Sequence, residues 1–216
     1  MYNHYVPDVS TDRNPNFYAS IGKRAFDVVI IVLALPALFP ILLLLTALSM
    51  LDGHSPIYVQ ERVGLYGKTF RMLKFRTMVV DADRRLEMYL SANPAARQEW
   101  DVKQKLMKDP RITRVGRFMR KSSMDELPQL LNVLRGEMSL IGPRPMMTDQ
   151  VSLYSGDAYY LMRPGLSGLW QVSDRNQSSF QARVRFDEDY YENLSFKLDC
   201  QILGKTICTV VKGTGC

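Results

Sequence analysis

The sequence predicts an α+β fold that is mostly helical and is attached to a membrane near its N-terminus. Three observations support this prediction. A long apolar run extends from Ala25 to Leu51, two alternating segments bracket a glycine-containing turn, and several later segments have the apolar spacing of helices. The 216 residues are enough for one domain with an appendage, and we divide the chain into residues 1–20, 21–52 and 53–216.

Charge and cysteine content restrict the classes of partner and of site. Lys and Arg number 28 against 22 Asp and Glu, and the net charge of +6 favours a phosphate-rich ligand, a lipid surface or nucleic acid. The cysteines, Cys200, Cys208 and Cys216, form no CxxC pair, and the chain has two histidines. A disulfide framework or a zinc site is therefore not expected.

The N-terminal part predicts a flexible segment followed by a membrane helix. Residues 1 to about 20 are polar and contain several Pro and Asn residues. The apolar run after them has only one charged residue, Asp27, and its 27 residues would form about 40 Å of helix. That length is enough to cross a bilayer and exceeds the ~7–15 apolar residues of a signal peptide.

The path of this run through a bilayer has two readings. Cations flank both of its ends, and the positive-inside rule draws both flanks to the cytoplasmic side. Pro36 and Pro40 each remove a helix donor and favour a kink. A kinked single span and a bent segment that enters and leaves by the same face both agree with these residues.

The remaining elements follow in order along the chain. Ile57–Arg62 and Thr69–Phe75 alternate around Gly64–Gly67, which predicts a β-hairpin. The predicted helices cover 81–90, 94–107, 123–138 and 198–212. Two loops rich in Pro and Gly are predicted at 142–145 and 164–168.

A cluster of charges offers the clearest candidate for chemistry. Asp125 and Glu126 directly follow five cations that lie within eleven residues: Arg111, Arg114, Arg117, Arg120 and Lys121. The spacing of Ser123 and Glu126 predicts a capping box, with Asp125 in the first helical turn. Such carboxylates commonly only cap a helix, but beside arginines they can also hold a phosphate, a divalent cation and a nucleophile.

Three further residues have a structural and a functional reading. Arg144 stands between two prolines, which fix the local backbone. It could bind a phosphate from this rigid position, or it could be a solvated residue in a tight turn. Trp170 offers an aromatic plane for a nucleotide or sugar, although filling the core is the commoner role. Lys74 lies near the end of the hairpin, where a lysine is most often simply exposed to solvent, although it could also bind an anion.

The order of these motifs resembles the bacterial sugar transferase family, the small monotopic phosphoglycosyl transferases that initiate exopolysaccharide and related glycan assembly. The resemblance runs from about Ser20 to the C-terminus. It rests on Lys23-Arg24-x-Phe26-Asp27, the apolar run with Pro40, Lys74-Phe-Arg76-Thr-Met, Asp125-Glu126-Leu-Pro-Gln-Leu, Gly142-Pro-Arg144-Pro, and Pro164-Gly-Leu-Ser-Gly-Leu-Trp-Gln-Val.

The resemblance implies a specific relation to the membrane. Residues 21–52 would form a re-entrant helix-break-helix bent at Pro40, and residues 53–216 a catalytic domain with a β-hairpin and interfacial helices. The domain would lie on the cytoplasmic face of the bacterial inner membrane and contact the phospholipid bilayer. Long members of the family carry additional transmembrane helices, and this chain is expected to be a short member.

The resemblance also implies a reaction. Hexose-1-phosphate would pass from UDP-galactose or UDP-glucose to undecaprenyl phosphate, with release of UMP. Asp125 would be the nucleophile and would hold Mg²⁺, and Glu126 would position the metal or the acceptor. Arg144, Arg120 and Lys74 would bind the diphosphate. No nucleic-acid partner is expected, and homodimer formation is left open.

One departure from the family pattern affects the expected specificity. Asp174 stands where the family usually has glycine, beside the substrate-binding candidates Arg175 and Asn176. An acidic side chain there could strain a positive φ or change contacts to the substrate. The alternative to an enzyme is a non-catalytic, membrane-tethered binding or scaffold protein of the glycan assembly machinery.

Overall fold

The computed structural model describes residues 17–51, 54–103, 106–173 and 181–211. Over these ranges the chain is an α+β fold in which helices predominate and the sheets are small. The helices are α1 (Lys23–Met50), α2 (Ala82–Ala92), α3 (Pro94–Lys103), α4 (Arg114–Lys121), α5 (Gln129–Arg135), α6 (Leu169–Ser173), α7 (Ala182–Glu192) and α8 (Phe196–Val211). The strands are β1 (Ile57–Val63), β2 (Thr69–Phe75), β3 (Ser139–Ile141) and β4 (Gly165–Ser167).

The predicted hairpin is confirmed. β1 and β2 pair antiparallel, from Ile57 opposite Phe75 to Val63 opposite Thr69. The chain reverses through a 3₁₀ turn in which Gly67 has a φ of 72°, a conformation that glycine adopts without steric cost. Phe70 and Met72, on one face of β2, are buried in the main core.

The helix predicted over 81–90 is confirmed, as is the one over 198–212 as far as Val211. The helix predicted over 94–107 is found over Pro94–Lys103, and Leu106 and Met107 are not helical. The helix predicted over 123–138 is α-helical only in part. Its first part is a short 3₁₀ turn, Met124–Glu126, and only α5 is α-helical. Ser123 has a φ of 56° and makes no capping bond through its side chain, so the predicted capping box is absent. A left-handed residue cannot continue a right-handed helix, and Gly136, with a φ of 82°, ends α5.

The apolar helix runs without a break through both of its prolines. A π-helical turn over Tyr18–Gly22 leads into α1, and together they form an apolar helical segment of 33 residues, long enough to cross a membrane. Pro36 and Pro40 lie inside this helix, so the interruption expected at Pro40 is absent from the secondary structure. Each proline removes one hydrogen-bond donor, which a helix can tolerate by kinking.

The first half of α1 is fixed to the domain by polar contacts. The buried Asp27 carboxylate accepts a hydrogen bond from the Ser139 hydroxyl at 3.1 Å and from the Leu140 N–H at 3.0 Å. Arg24 donates to the backbone carbonyls at the end of α5. Ile31, one turn beyond Asp27, is buried in the main core. These contacts join α1 to α5 and β3.

The second half of α1 contacts the same domain again. Leu45 is buried and belongs to a cluster with Phe75 of β2 and Met119 of α4. Most side chains from 32 to 40, between the two contact regions, are exposed or half-buried. Leu38, between these regions, also packs against the main core, so the helix contacts the domain along its length from Asp27 to Leu45.

A second buried carboxylate joins the two ends of the described chain. Asp199 of α8 accepts hydrogen bonds from the hydroxyls of Tyr18 and Tyr190, each at 2.6 Å. It also forms an ion pair with Lys23 at 2.7 Å. With three donors around it, this carboxylate is satisfied although it is fully buried.

The two predicted loops lie against each other because β3 and β4 pair in parallel. Ser139 stands opposite Gly165, and Ile141 opposite Ser167. A Cβ atom on Gly165 would lie 2.1 Å from the backbone nitrogen of Gly142, so only glycine fits there. This close approach fixes the loop over 142–145 on the end of the small parallel sheet.

The contacts of Asp27 generate a test of how α1 is attached. Replacing Asp27 with Leu leaves the Ser139 hydroxyl and the Leu140 N–H buried without their acceptor. We expect the free energy of unfolding to fall by about 1–3 kcal/mol. Thermal unfolding in detergent measures the change, and Leu33→Ala, at an exposed position of the same helix (72% exposed), is the control. Equal melting temperatures for Asp27→Leu and Leu33→Ala would contradict the assigned role.

Candidate active site

Two adjacent carboxylates lie in the short connection between α4 and α5. Asp125 and Glu126 occupy the 3₁₀ turn that follows the left-handed Ser123. The turn is closed by a hydrogen bond from the Leu127 N–H to the Met124 carbonyl at 3.3 Å. Both carboxylates are half-buried, so their side chains are reachable from solvent.

Lys74 at the end of β2 contacts this turn. Its ammonium group forms an ion pair with Glu126 at 2.9 Å, and both side chains are largely shielded from solvent. The neighbouring residue of the strand is fixed by Asn132 of α5. The Asn132 side chain accepts from the Leu73 N–H at 3.0 Å and donates to the Arg71 carbonyl at 2.8 Å. Asn132 thereby sets the position of Lys74 relative to the carboxylates.

Arg120, in the last turn of α4, is close enough to Asp125 for the two charges to influence each other. Its Nε donates to the Thr77 hydroxyl at 2.8 Å. The backbone of α4 is held at the same residue, because the Thr113 N–H donates to the Thr77 carbonyl at 3.0 Å. Gly116 permits this approach, since a Cβ atom there would lie 2.1 Å from the Thr77 carbonyl oxygen. Thr77 therefore orients Arg120 through its side chain and α4 through its backbone.

The electrostatics of Asp125 reflect burial and charged neighbours. Burial raises the pKa of the Asp125 carboxyl above its ordinary value, and the adjacent Glu126 raises it further. Lys74 and Arg120 act in the opposite direction. The guanidinium of Arg120 has its pKa lowered mainly by burial, which Asp125 opposes. The two cations thus stabilise a carboxylate that burial alone would protonate more readily.

Asp125 and Glu126 are the carboxylates that would hold the expected magnesium ion. No group of three or more His, Cys, Asp or Glu side chains that could hold a metal occurs in the described ranges. Mg²⁺ usually binds through one or two carboxylates and completes its coordination with water and substrate phosphates. The pair fits a metal that is shared with a diphosphate, and does not form an all-protein cage.

Arg144 belongs to a second group of cations. Its guanidinium lies 5.8 Å from the centre of the Trp170 ring, and that of Arg183 lies 4.3 Å from the same ring. Trp170 is itself buried, as predicted for a core residue. Arg62 of β1 adds a third cation, since Arg144 contributes to lowering the pKa values of both Arg62 and Arg183.

The hairpin register relates the two groups to each other. Arg62 stands opposite Phe70, and Lys74 lies four residues further along β2. Side chains that are opposite in an antiparallel pair, or two or four residues apart in one strand, share a face. Arg62 and Lys74 therefore share one face of the hairpin, with their positions about 14 Å apart along the strand.

The structure places the predicted site residues in different parts of the molecule. The structure brings Lys74, Arg120, Asp125 and Glu126 together, and it assigns Arg144 to the group around Trp170. Pro40 lies within α1. Asp174, Arg175 and Asn176 lie outside the described residues, so their roles stay predictions.

Sequence reasoning missed several residues that shape the site. Asn132 interrupts an apolar run, from Leu130 to Leu134, and this was a signal that a buried polar residue has partners elsewhere. Arg183 and Arg62 lie in segments that look like ordinary charged surface, and only the tertiary structure shows that they converge. Thr77 follows the cationic end of the hairpin, and no sequence pattern indicates its hydrogen bond with Arg120.

Comparisons with known proteins agree with this site. The chain matches the bacterial sugar transferase family over residues 18–213. It is 50% identical over 198 residues to the exopolysaccharide production protein ExoY of Sinorhizobium fredii, covering 90% of this chain and 88% of that protein. It is also 50% identical to the UDP-galactose-lipid carrier transferase of Erwinia amylovora, over 218 residues that cover 100% of this chain and 46% of that protein.

A third relative is the undecaprenyl-phosphate galactose phosphotransferase of Salmonella typhimurium. The identity is 47% over 195 residues, which cover 89% of this chain and 41% of that protein. The chain thus spans less than half the length of the Erwinia and Salmonella proteins and most of the Sinorhizobium protein. The family match covers nearly the whole sequence, including both carboxylates and all the cations described above. The chain therefore belongs to the bacterial sugar transferase family.

Proposed function

We propose that the chain is a phosphoglycosyl transferase that moves hexose-1-phosphate from a UDP-sugar to undecaprenyl phosphate, the first membrane step of exopolysaccharide assembly. One observation carries the proposal: the half-buried Asp125 and Glu126 lie together with two cations, since Lys74 pairs with Glu126 and both Lys74 and Arg120 act electrostatically on Asp125. Such a group can bind and attack an anionic phosphate ester. The Erwinia and Salmonella proteins are named for galactose, so UDP-galactose is the first donor and UDP-glucose the second.

The reaction takes place in two displacements at one phosphorus atom. An Asp125 oxygen attacks the phosphorus bonded to the sugar, and the bond from that phosphorus to the UMP phosphate breaks. UMP leaves with the electron pair, and a phosphosugar stays on Asp125. An oxygen of undecaprenyl phosphate then attacks the same phosphorus and displaces the carboxylate. Neither step requires a proton transfer, because both the nucleophiles and the leaving groups are anions.

The cations near Asp125 have separate tasks in this scheme. Arg120, held by Thr77, faces the nucleophile and is placed to neutralise the charge on the transferring phosphate. Lys74 holds Glu126, and Glu126 positions the metal or the acceptor. A Mg²⁺ ion at Asp125 would supply additional positive charge toward the phosphate oxygens.

The contacts of α1 support a re-entrant arrangement. Both ends of this apolar helix contact one domain, through Asp27 at one end and Leu45 at the other. If the domain lies on one side of a bilayer, both ends of α1 stay on that side, and the exposed side chains between them face the lipid. The flanking cations favour the cytoplasmic face of the inner membrane.

Other surfaces fit the same placement. Phe118 of α4 and Leu131 of α5 are exposed, 58% and 44% respectively, although both are large and apolar. Cations lie near Phe118 in the sequence, at Arg117 and Lys121. An exposed apolar side chain with adjacent cations suits the interface between lipid tails and anionic headgroups. We assign α4 and α5 to the membrane interface on this basis.

The central experiment measures release of UMP from UDP-galactose and UDP-glucose by nanodisc-held protein with undecaprenyl phosphate and Mg²⁺. We expect release by the wild type and a loss of roughly 10³-fold or more for Asp125→Asn, because the amide is not a nucleophile. Without the acceptor, the wild type should release UMP once and carry a phosphosugar that mass spectrometry detects. Asp83→Asn, at an exposed position of α2, is the matched control and should stay active.

Two results would count against this reading. Equal activity of Asp125→Asn and Asp83→Asn would exclude Asp125 as the nucleophile. Absence of release from a folded wild type with both donors and with a wider panel of nucleotide sugars would favour a non-catalytic membrane-tethered protein.

The raised pKa of Asp125 predicts a pH effect with a definite sign. Activity should fall as the pH drops through this pKa, because only the ionised carboxylate attacks. Replacing Glu126 with Gln removes the negative neighbour and therefore lowers the pKa of Asp125. We expect the acid limb of the profile of kcat/KM against pH to move to lower pH, whatever the loss in absolute rate. The exposed Glu61→Gln serves as control, and an unmoved limb in Glu126→Gln would refute the coupling.

Thr77 is expected to act as a positioning residue for Arg120. Thr77→Val preserves the shape of the side chain and removes the hydroxyl acceptor, so kcat/KM should fall by about tenfold or more. Thr77→Ser should restore most of it. In an Arg120→Gln background, Thr77→Val should cost little more, because the shared interaction is already lost. Additive losses in the double variant would show that Thr77 acts independently of Arg120.

A further inference from the structure

A narrow cleft lies beside Trp170, away from the turn that holds Asp125. Its walls include Arg144 from the loop after β3 and Arg183 from α7. Both guanidinium groups lie near the same indole ring, at 5.8 and 4.3 Å from its centre. An arginine that lies over an aromatic plane is held in place and still keeps donors at its edge. The ring therefore carries two positioned cations.

Arg62 places a third cation behind this cleft. One of its terminal nitrogens donates to the Pro145 carbonyl at 3.1 Å, which fixes the residue next to Arg144. Burial lowers the pKa of the Arg62 guanidinium, and the like charge of Arg144 lowers it further. The same two causes lower the pKa of Arg183. Three mutually repelling guanidinium groups, two of them partly buried, are stabilised when an anion binds between them.

The carboxyl group in the cleft compensates this charge only in part. Asp187 accepts a hydrogen bond from the Tyr154 hydroxyl at 3.0 Å. Burial raises its pKa to about 7, in spite of the opposing effects of Tyr154 and Arg183. Near neutral pH, Asp187 is therefore protonated in a substantial share of the molecules. Asp187 therefore offsets less than one full positive charge of the three arginines.

The size of the cleft indicates which chemical group binds there. Its interior has room for about one water molecule, so a hexose ring or a uracil base does not fit inside. Arg144 is exposed and stands at the opening. A phosphate at the mouth of the cleft can reach arginine donors without entering it, and arginine matches phosphate geometry with paired hydrogen bonds.

We propose that Arg144 and Arg183, with Arg62 as a supporting positive charge behind them, form a second phosphate-binding site, which takes a phosphate group of one of the two substrates. This inference rests on the proposed transferase function and assigns to it the residues Arg62 and Arg183. The hairpin relates this site to the Asp125 turn, because Arg62 and Lys74 belong to its two paired strands and their positions are about 14 Å apart along the strand direction. The phosphate belongs either to the donor nucleotide or to the prenyl phosphate.

The test uses Arg183→Gln, with Arg185→Gln as the matched control. Both residues belong to α7 and both changes remove one positive charge, but Arg185 is exposed. In one arm, UDP is titrated into nanodisc-held Asp125→Asn protein that also carries Arg183→Gln or Arg185→Gln, and the dissociation constant is measured. In the other arm, the KM for undecaprenyl phosphate is measured in otherwise wild-type protein. We expect Arg183→Gln to weaken one of the two by about tenfold or more relative to Arg185→Gln.

The arms separate the two sources of the phosphate. A loss confined to UDP binding supports the site with the donor as its ligand, and a loss confined to the KM supports it with the acceptor. Values equal to those of Arg185→Gln in both arms overturn the site. If Arg183→Gln does not fold, as judged by its melting temperature, Arg183→Lys decides by the same criteria, because it keeps the charge and loses the planar fork.

The same preparations distinguish a failed site from a failed function. Turnover by the wild type, together with unchanged binding in Arg183→Gln, rejects the second site and leaves the transferase intact. Absence of turnover and of UDP binding in the wild type rejects both.

Discussion

The side-chain amide of Asn132 connects the strand that carries Lys74 with the helix that follows Asp125 and Glu126. Its oxygen accepts from the Leu73 N–H, and its nitrogen donates to the Arg71 carbonyl and to Glu137. The residue is completely buried, so loss of these bonds would leave polar groups unsatisfied in the core. The strand cannot slide along α5 without that cost. The distance between the lysine and the carboxylate turn is therefore set by backbone contacts and does not depend on the ion pair alone.

Elsewhere in the molecule, close contacts between backbone segments also fix the positions of charged side chains. Gly116 lets α4 lie directly on the carbonyl of Thr77, and Gly165 lets two loops meet at the end of β3 and β4. Each contact sets the origin of one long arginine side chain, Arg120 in the first case and Arg144 in the second. Long side chains lose considerable entropy when they are ordered. Here the backbone of each arginine is fixed, and its side chain has one further contact, with the Thr77 hydroxyl or the Trp170 ring. Both reduce the side-chain conformational entropy that would be lost when a ligand binds.

Local patterns were sufficient to predict part of this arrangement. The hairpin follows from alternation around a glycine turn, and the long apolar helix from its length and composition. The pairing of Asp125 with cations followed from their nearness in the sequence. The capping box failed because the sequence pattern for it contains no information on the left-handed backbone of Ser123. The bonds of Asp27 to β3 and the meeting of Arg62 with Arg183 depend on long-range packing, and no local pattern encodes them.

The buried carboxylate of Asp199 has a consequence for the order in which the chain can assemble. Its ion pair with Lys23 spans 176 positions of sequence, and its bond with Tyr18 spans 181. Because α1 is synthesised before α8, the N-terminal end of α1 can be fixed only after α8 has been made. Contacts of such long range form slowly, because a large loop has to close first. During translation the apolar helix can enter the lipid before its polar anchor exists, so that the bilayer holds it until the domain closes around it.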